Sequence, residues 1–147
     1  MLARDLADPD FPTVGLDHDA AAAARQLAER RLPGLVVVDD AGLPHSVLPG
    51  SQVLRFVIPG YVQDDPMLAR VYDERHADAL TAKLAGTPVR TLLRAERTEP
   101  PVVDGKATAV EIAAVMARLH SPLVAVVDQG RFLGVVTVGR LLERMLR

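Results

Sequence analysis

The sequence contains an internal repeat, and this repeat restricts the possible folds more than any other feature. At an offset of 89 positions, LPGLVVVDDAG (32–42) aligns with SPLVAVVDQG (121–130), with a proline at the second position of each copy. At an offset of 88, SVLPGSQVL (46–54) aligns with GVVTVGRLL (134–142). Because the segments recur in the same order, the chain is expected to form two copies of one supersecondary unit that pack together.

Each copy predicts the same series of elements. An extended piece (Thr13–Leu16 or Pro101–Val103) precedes a helix, and a nearly continuous Val/Leu run typical of a buried strand follows (Leu35–Asp39 or Leu123–Asp128). A glycine-containing turn and a second strand complete a hairpin, and a last helix closes the unit. Each repeat is thus β-α-β-β-α and, at about 45 to 50 residues, too short to bury a good core alone. In the second copy the closing helix carries an apolar stripe: Val138, Leu141, Leu142 and Met145.

The segment between the copies predicts one long helix. Asp64 and Asp65 are candidate N-caps, Pro66 suits the first helical position, and Gly86 is a stop signal, so the helix is expected over Pro66–Ala85. An apolar stripe would pack against the repeats or a second chain: Leu68, Val71, Tyr72, Ala79, Leu80 and Leu84. The predicted fold class is α/β (α+β), with two tandem repeats and a long inserted helix. The predicted organisation is repeat 1 (1–60), connecting helix (61–86) and repeat 2 (87–147).

Composition excludes several classes of function. A net charge of −2 and an aromatic content of 3% without Trp argue against nucleic-acid binding. The absence of Cys excludes disulfides and thiolate metal sites, and no two histidines have metal-ligand spacing, so no metal site is predicted. No signal peptide and no run of about eighteen apolar residues is present, so we expect a soluble, cytoplasmic chain without membrane insertion. No catalytic motif is found, and we expect no enzyme activity.

Two features together resemble a known family. The strands that begin near a proline and end at Asp39 and Asp128, and the Gly-x-x-Thr junction at Gly134–Thr137, are similar to those of the cystathionine-beta-synthase (CBS) domain pair, or Bateman module. The resemblance covers nearly the whole chain. It implies two repeats related by a pseudo-twofold axis, two clefts between them and a disc-like homodimer. It also implies a regulatory role and ligands such as AMP, ADP, ATP or S-adenosylmethionine, with no cofactor required.

The strand-to-helix junctions depart from the motif that this family uses. A hydroxyl there can cap the helix and face a phosphate, and an aspartate three positions later can accept both hydroxyls of a ribose. The second repeat has Thr137 followed by Arg140, whereas the first has Pro49 followed by Gln52. The ribose clamp is therefore absent from both repeats. Thr137 is accounted for by helix capping alone, and Arg140 either by a solvated surface position or by contact with an anion.

Two functions remain open from the sequence. The first is a stand-alone regulatory module that binds an adenosine-containing or other small anionic ligand in the repeat-2 cleft. Its predicted contacts are Val103, Ser121, Pro122, Leu123, Thr137 and Arg140. The repeat-1 cleft is expected to be degenerate, and its residues are Leu16, Pro33, Pro49 and Gln52. The alternative is a ligand-free scaffold that binds a partner protein, such as a transporter or an enzyme, through the connecting helix or the disc face.

Overall fold

The computed structural model describes residues 1–93 and 99–147. Within these residues the chain forms two three-stranded sheets and a set of helices. The strands are β1 (Thr13–Gly15), β2 (Gly34–Val38), β3 (Pro44–Pro49), β4 (Val102–Asp104), β5 (Leu123–Asp128) and β6 (Arg131–Thr137). The α-helices are α1 (Ala3–Leu6), α2 (Ala20–Glu29), α3 (Gly50–Val57), α4 (Gly60–Asp64), α5 (Glu74–Thr81), α6 (Val89–Leu92), α7 (Ala109–Leu119) and α8 (Val138–Met145). Two 3₁₀ helices cover Pro66–Val71 and Ala82–Leu84.

The two sheets have the same topology. In each sheet the middle strand, β2 or β5, pairs in parallel with the strand before it and antiparallel with the strand after it. The registers correspond at the sequence offset, because Val14 pairs with Val37 in the first sheet and Val103 with Val126 in the second. The repeat read from the sequence is therefore confirmed, and the fold is a mixed α/β pair of β-α-β-β-α units.

Equivalent residues of the two repeats meet between the sheets. Val36 and Ala125, which are 89 positions apart, belong to one buried cluster together with Leu123 and Val135. Leu123 has no counterpart side chain in repeat 1, where Gly34 stands instead. A Cβ at Gly34 would lie 3.5 Å from the Leu123 Cδ2 and 3.0 Å from the Leu48 carbonyl oxygen. Thus the Leu123 side chain of repeat 2 packs against the space that Gly34 leaves open in repeat 1.

The short helices α1 and α6 are exchanged between the repeats. Although α1 is the start of repeat 1 in sequence, Ala3 and Leu6 are buried in the core of repeat 2, and the helix contacts β4, β5 and β6. Conversely, α6 opens repeat 2 in sequence, but Val89 and Leu92 are buried in the core of repeat 1, against α2 and α3. Each repeat thus depends on the other to complete its core.

The connecting segment is not the single long helix predicted over Pro66–Ala85. It is divided into α4, the 3₁₀ helix that begins at Pro66, α5 and a last 3₁₀ turn. The division has a local cause, since the Asp73 carboxylate accepts a hydrogen bond from the His76 backbone N–H at 3.1 Å and starts a new helix. Tyr72 just before it is extended, at φ −90° and ψ 122°.

The predicted apolar stripe of this segment is divided as well. Leu84 is buried in the core of repeat 1, whereas 74% of Val71 is exposed. The stripe fails because residues of one helical face do not stay aligned across separate short helices. Within the described part of the chain, no helix is long and apolar enough to cross a membrane.

Candidate functional site

A cavity of about 1300 Å³ lies between the two repeats. Its wall on the side of repeat 1 contains the residue before β2 and the junction of β3 with α3. Its wall on the side of repeat 2 contains the last turn of α7, the two residues before β5 and one face of α8. Since both repeats build the wall, a molecule that spans the cavity contacts both of them.

Much of the cavity wall is apolar and rigid. It contains five prolines: Pro33, Pro49, Pro100, Pro101 and Pro122. Proline has a fixed φ and no backbone N–H, so these positions offer flat apolar surface and no backbone donor. Such a wall suits a planar, weakly polar group better than it suits a charged one.

All four residues predicted for the repeat-1 cleft line this cavity. They are Leu16, Pro33, Pro49 and Gln52. Pro49 is the N-cap of α3 and offers no side-chain acceptor to the helix. Gln52, at the position of the family's carboxylate, donates from Nε2 to the Leu92 carbonyl oxygen at 3.1 Å. It therefore ties α3 to the end of the exchanged helix α6.

Of the six residues predicted for the repeat-2 cleft, Ser121 and Pro122 line the cavity. The Ser121 hydroxyl donates to the Leu123 carbonyl oxygen at 2.6 Å. Val103 and Leu123 are buried, the first in the core of repeat 2 and the second between the sheets. Both are therefore part of the packing that supports the cavity and not of its wall.

Thr137 and Arg140 also lie outside the cavity wall. The Thr137 hydroxyl accepts a hydrogen bond from the Arg140 backbone N–H at 3.2 Å and caps α8. The Arg140 side chain is half-exposed and lies 3.9 Å from the Glu143 carboxylate, measured from Nη1 to Oε2. A surface pair at this distance contributes little to stability. The structure thus gives Thr137 a capping role, as its position in the sequence suggests.

Two charged residues that the sequence analysis did not single out line the cavity, Arg90 and Glu99. Arg90 contacts the Asp17 Oδ1 through both Nε, at 2.8 Å, and Nη2, at 2.6 Å. Glu99 accepts a hydrogen bond from the Arg118 Nη1 at 2.8 Å through its Oε2. This hydrogen bond, with the charge of the guanidinium, lowers the pKa of the Glu99 carboxyl and raises the pKa of Arg118. The Glu99 carboxyl is therefore ionised at neutral pH.

The position of Arg90 follows from backbone contacts of α6. The Val89 N–H donates to the His18 carbonyl oxygen at 2.8 Å, and the Arg90 N–H donates to that of Leu16 at 2.9 Å. These bonds fix α6 at the end of β1 and place Arg90 beside Leu16 at the cavity. The signal available in the sequence was the similarity of VRTLL (89–93) to ARDLA (3–7), which marks α6 as part of the repeat but not as part of the site.

The apolar stripe of α8 faces the cavity more than the core. Leu141 is buried, but 38% of Val138, 48% of Leu142 and 47% of Met145 are exposed, and all four line the cavity. Elsewhere, residues 1–93 and 99–147 contain no group of three or more His, Asp or Glu side chains that would hold a metal ion.

A family model matches most of the chain. The model of the CBS domain matches residues 3–57 and 89–147, which are the two repeats without the connecting segment. No curated protein matches the chain. The two matched segments have the same order of elements in the structure.

Several solved structures are similar over the full length. A CBS domain-containing protein of unknown function from Kribbella flavida is 55% identical, covers 100% of this chain and 99% of its own, and has a TM-score of 0.84. CBSX2 from Arabidopsis thaliana is 20% identical, with 99% of this chain and 94% of that chain covered and a TM-score of 0.75. A structure of CBSX2 in complex with AMP is 21% identical, with 99% and 96% covered and a TM-score of 0.69. The last two likenesses concern the fold alone.

Proposed function

Since the chain belongs to the CBS domain family, as a tandem pair, we propose that it is a regulatory module that binds an adenosine-containing ligand between its repeats. The observation that carries the proposal is the shared cavity of about 1300 Å³, with its proline-rich wall and its two charged residues. CBSX2, which has the same fold, has been solved in complex with AMP. The chain itself would act without catalysing a reaction.

The apolar part of the wall suits the adenine ring of such a ligand, and the charged part suits its phosphate. An adenine ring is flat and weakly polar, and the prolines and the exposed face of α8 form an apolar slot for it. A phosphate needs a cation, and Arg90 is the one Lys or Arg side chain in the wall among the described residues. Guanidinium–phosphate contacts are charge-assisted and stronger than neutral hydrogen bonds. This proposal shifts the site from a cleft of repeat 2 alone to the cavity that both repeats share.

The regulatory effect would come from contact with both repeats. A ligand shifts an equilibrium between two arrangements only by its difference in affinity for them. The cavity is lined by residues of α3 and α6 on one side and of α7 and α8 on the other, so the affinity of a ligand that spans it would depend on how the repeats are placed. Binding would therefore favour one arrangement, which a partner protein can detect.

We further propose that two chains associate into a homodimer. The observation that supports this is the presence of large apolar side chains that are exposed outside the cavity wall, such as Leu54 on α3 at 62% and Leu146 after α8 at 81%. Exposed apolar surface can mark an interaction site. Light scattering should then give twice the mass of the chain, and a monomer would contradict the dimer.

The ligand proposal can be tested by calorimetry and thermal shift with AMP, ADP, ATP, NAD and S-adenosylmethionine. At least one compound should bind, and Arg90→Gln should weaken a phosphate-bearing ligand by roughly 10- to 100-fold because a charge-assisted contact is lost. Arg140→Gln is the matched control, since Arg140 is an equally accessible arginine outside the cavity wall.

Two results would contradict the proposal. If no compound binds at millimolar concentration, the ligand-free scaffold becomes the better explanation. If Arg140→Gln weakens binding and Arg90→Gln does not, the ligand lies outside this cavity.

A further inference from the structure

We infer that Glu99 and Arg90 fix the orientation and the chemical class of the ligand. Glu99 accepts hydrogen bonds from hydroxyl or ammonium groups of the ligand, while Arg90 binds its anionic group. The ligand would thus be one that carries both an anion and hydrogen-bond donors, as a nucleoside monophosphate does. The inference rests on the proposed function and adds a residue that determines specificity.

The first support is the charge distribution in the cavity. Among the described residues of the wall, Arg90 and Glu99 are the only two with charged side chains at neutral pH when histidine is neutral. They come from different parts of the fold, since Arg90 is on α6 against the core of repeat 1 and Glu99 precedes β4 of repeat 2. A ligand with uniform charge would be attracted by one of them and repelled by the other.

The second support is that each charged group is held from outside the cavity. Asp17 holds Arg90 and Arg118 holds Glu99, and neither Asp17 nor Arg118 lines the cavity. Both side chains therefore have a defined position before any ligand arrives. Groups positioned in advance lose less conformational entropy on binding.

The third support is that each ion pair leaves one polar atom of the cavity residue without a hydrogen-bond partner among the described residues. Asp17 contacts the Nε and Nη2 atoms of Arg90, and no described residue forms a hydrogen bond or ion pair with its Nη1. Arg118 contacts the Oε2 of Glu99, and no described residue forms a hydrogen bond or ion pair with its Oε1. Each group thus retains one polar atom with which to bind a ligand.

The Glu99 carboxylate and the Arg90 guanidinium bind different groups of the ligand, because one accepts hydrogen bonds and the other donates them. An ionised carboxylate only accepts hydrogen bonds, so Glu99 selects donors and repels phosphate. A guanidinium only donates, so Arg90 selects phosphate or carboxylate. Arg118 is a positioning residue, because it acts on the ligand through Glu99.

The experiment compares AMP with 2′,3′-dideoxy-AMP, which lacks the sugar hydroxyls, by titration calorimetry. The wild-type protein should bind AMP roughly 10- to 100-fold more tightly than the dideoxy compound, because charge-assisted hydrogen bonds are lost. Glu99→Ala should reduce this ratio to within about threefold, and Glu143→Ala, an exposed glutamate outside the cavity, should leave it unchanged.

A second variant tests the role of Arg118. Arg118→Gln should raise the pKa of the Glu99 carboxyl toward its ordinary value, as measured by carbon NMR of the side chain, and should lower the AMP preference. An unchanged pKa in this variant would contradict the positioning role.

The outcomes separate this inference from the function on which it rests. If AMP binds but the wild-type protein has no preference over the dideoxy compound, or if Glu99→Ala leaves the preference intact, the inference is wrong and the proposed function stands. If neither compound nor any other compound of the ligand panel binds, both are wrong.

Discussion

The two repeats have the same backbone but use the junction between their last strand and last helix differently. In both repeats the turn between a helix and the middle strand contains a residue in the left-handed region, Arg31 after α2 and His120 after α7, at the same φ of 51°. At the junction, however, Thr137 caps its helix with a hydroxyl, whereas Pro49 provides no side-chain cap. Three positions on, Gln52 binds the Leu92 carbonyl.

The comparison shows that equivalent positions do not have equivalent surroundings. Pro49 and Gln52 line the cavity between the repeats, but Thr137 and Arg140 lie outside its wall. Thus the two motif positions that line the cavity belong to the repeat that departs more from the family motif. Residues of a motif can be aligned by sequence, but only the packing of the two units decides which of them face a ligand.

The largest expected effects test the exchange of the two short helices. Leu6 and Leu92 occupy matching places in ARDLA and VRTLL, and each is buried in the core of the opposite repeat. Leu6→Ala and Leu92→Ala should each lower the free energy of unfolding by about 2–5 kcal/mol, as expected for a buried leucine. Urea denaturation measures this loss.

The location of the change distinguishes exchanged from unexchanged helices. Leu6→Ala should shift amide NMR resonances in β4, β5 and β6, and Leu92→Ala should shift those in α2 and α3. The opposite pattern would mean that each short helix packs on its own repeat.

The next largest effect is expected at Gly134 of repeat 2, whose equivalent position in repeat 1 is not a glycine. Gly134 has a φ of 153°, and a Cβ there would lie 2.4 Å from the Asp8 carbonyl oxygen. At the corresponding position repeat 1 has Ser46, since Val37 pairs with Ser46 as Val126 pairs with Gly134. Gly134→Ala should lower the free energy of unfolding by about 2–3 kcal/mol, because of backbone strain and because the segment at Asp8 must move.

The control for this variant is Gly139→Ala on α8. No atom lies within 4 Å of a Cβ at Gly139, and its φ is not positive. This change should stabilise the protein by up to about 1 kcal/mol, because alanine is the better helix former. Equal losses at both glycines in thermal unfolding would argue against a specific role for Gly134.

The smallest effect tests the difference between the junctions. Thr137→Ala removes the cap of α8 and should lower the free energy of unfolding by about 1 kcal/mol, without changing ligand affinity. Thr137→Ser keeps the hydroxyl and should be close to the wild-type protein. If Thr137→Ala abolishes binding of every compound in the panel, the hydroxyl contacts the ligand directly.

The sequence predicted the repeats well because their signals are local and occur twice. β5 covers Leu123–Asp128 as expected, since a run of Val and Leu between turn residues has few alternatives to a buried strand. The prediction of one continuous connecting helix was wrong because Asp73 and Asp65 cap separate helices. From the sequence alone, an acidic residue within an apolar stripe is also compatible with an exposed position on one continuous helix.

The candidate site was harder to predict because it depends on contacts between distant segments. Motif positions predicted Pro33, Pro49, Pro122 and Gln52, which line the cavity, but not Pro100 and Pro101. Arg90 and Glu99 could not be found in this way, since Arg90 reaches the cavity only through α6 on the opposite repeat, and Glu99 belongs to no motif. Exchange between repeats is a property of tertiary packing that no short window of sequence contains.

The exchanged helices also determine the order in which the chain can fold during synthesis. Because synthesis runs from the N-terminus to the C-terminus, α1 leaves the ribosome before its partners in repeat 2. The Ala3 N–H binds the Ala107 carbonyl oxygen at 2.8 Å, and the Asp8 N–H binds that of Val135 at 2.9 Å. Contacts so distant in sequence form late, because a long loop must close first. Helix α1 therefore cannot make these contacts until β6 has been synthesised, whereas repeat 1 receives its exchanged helix, α6, from the segment that follows it.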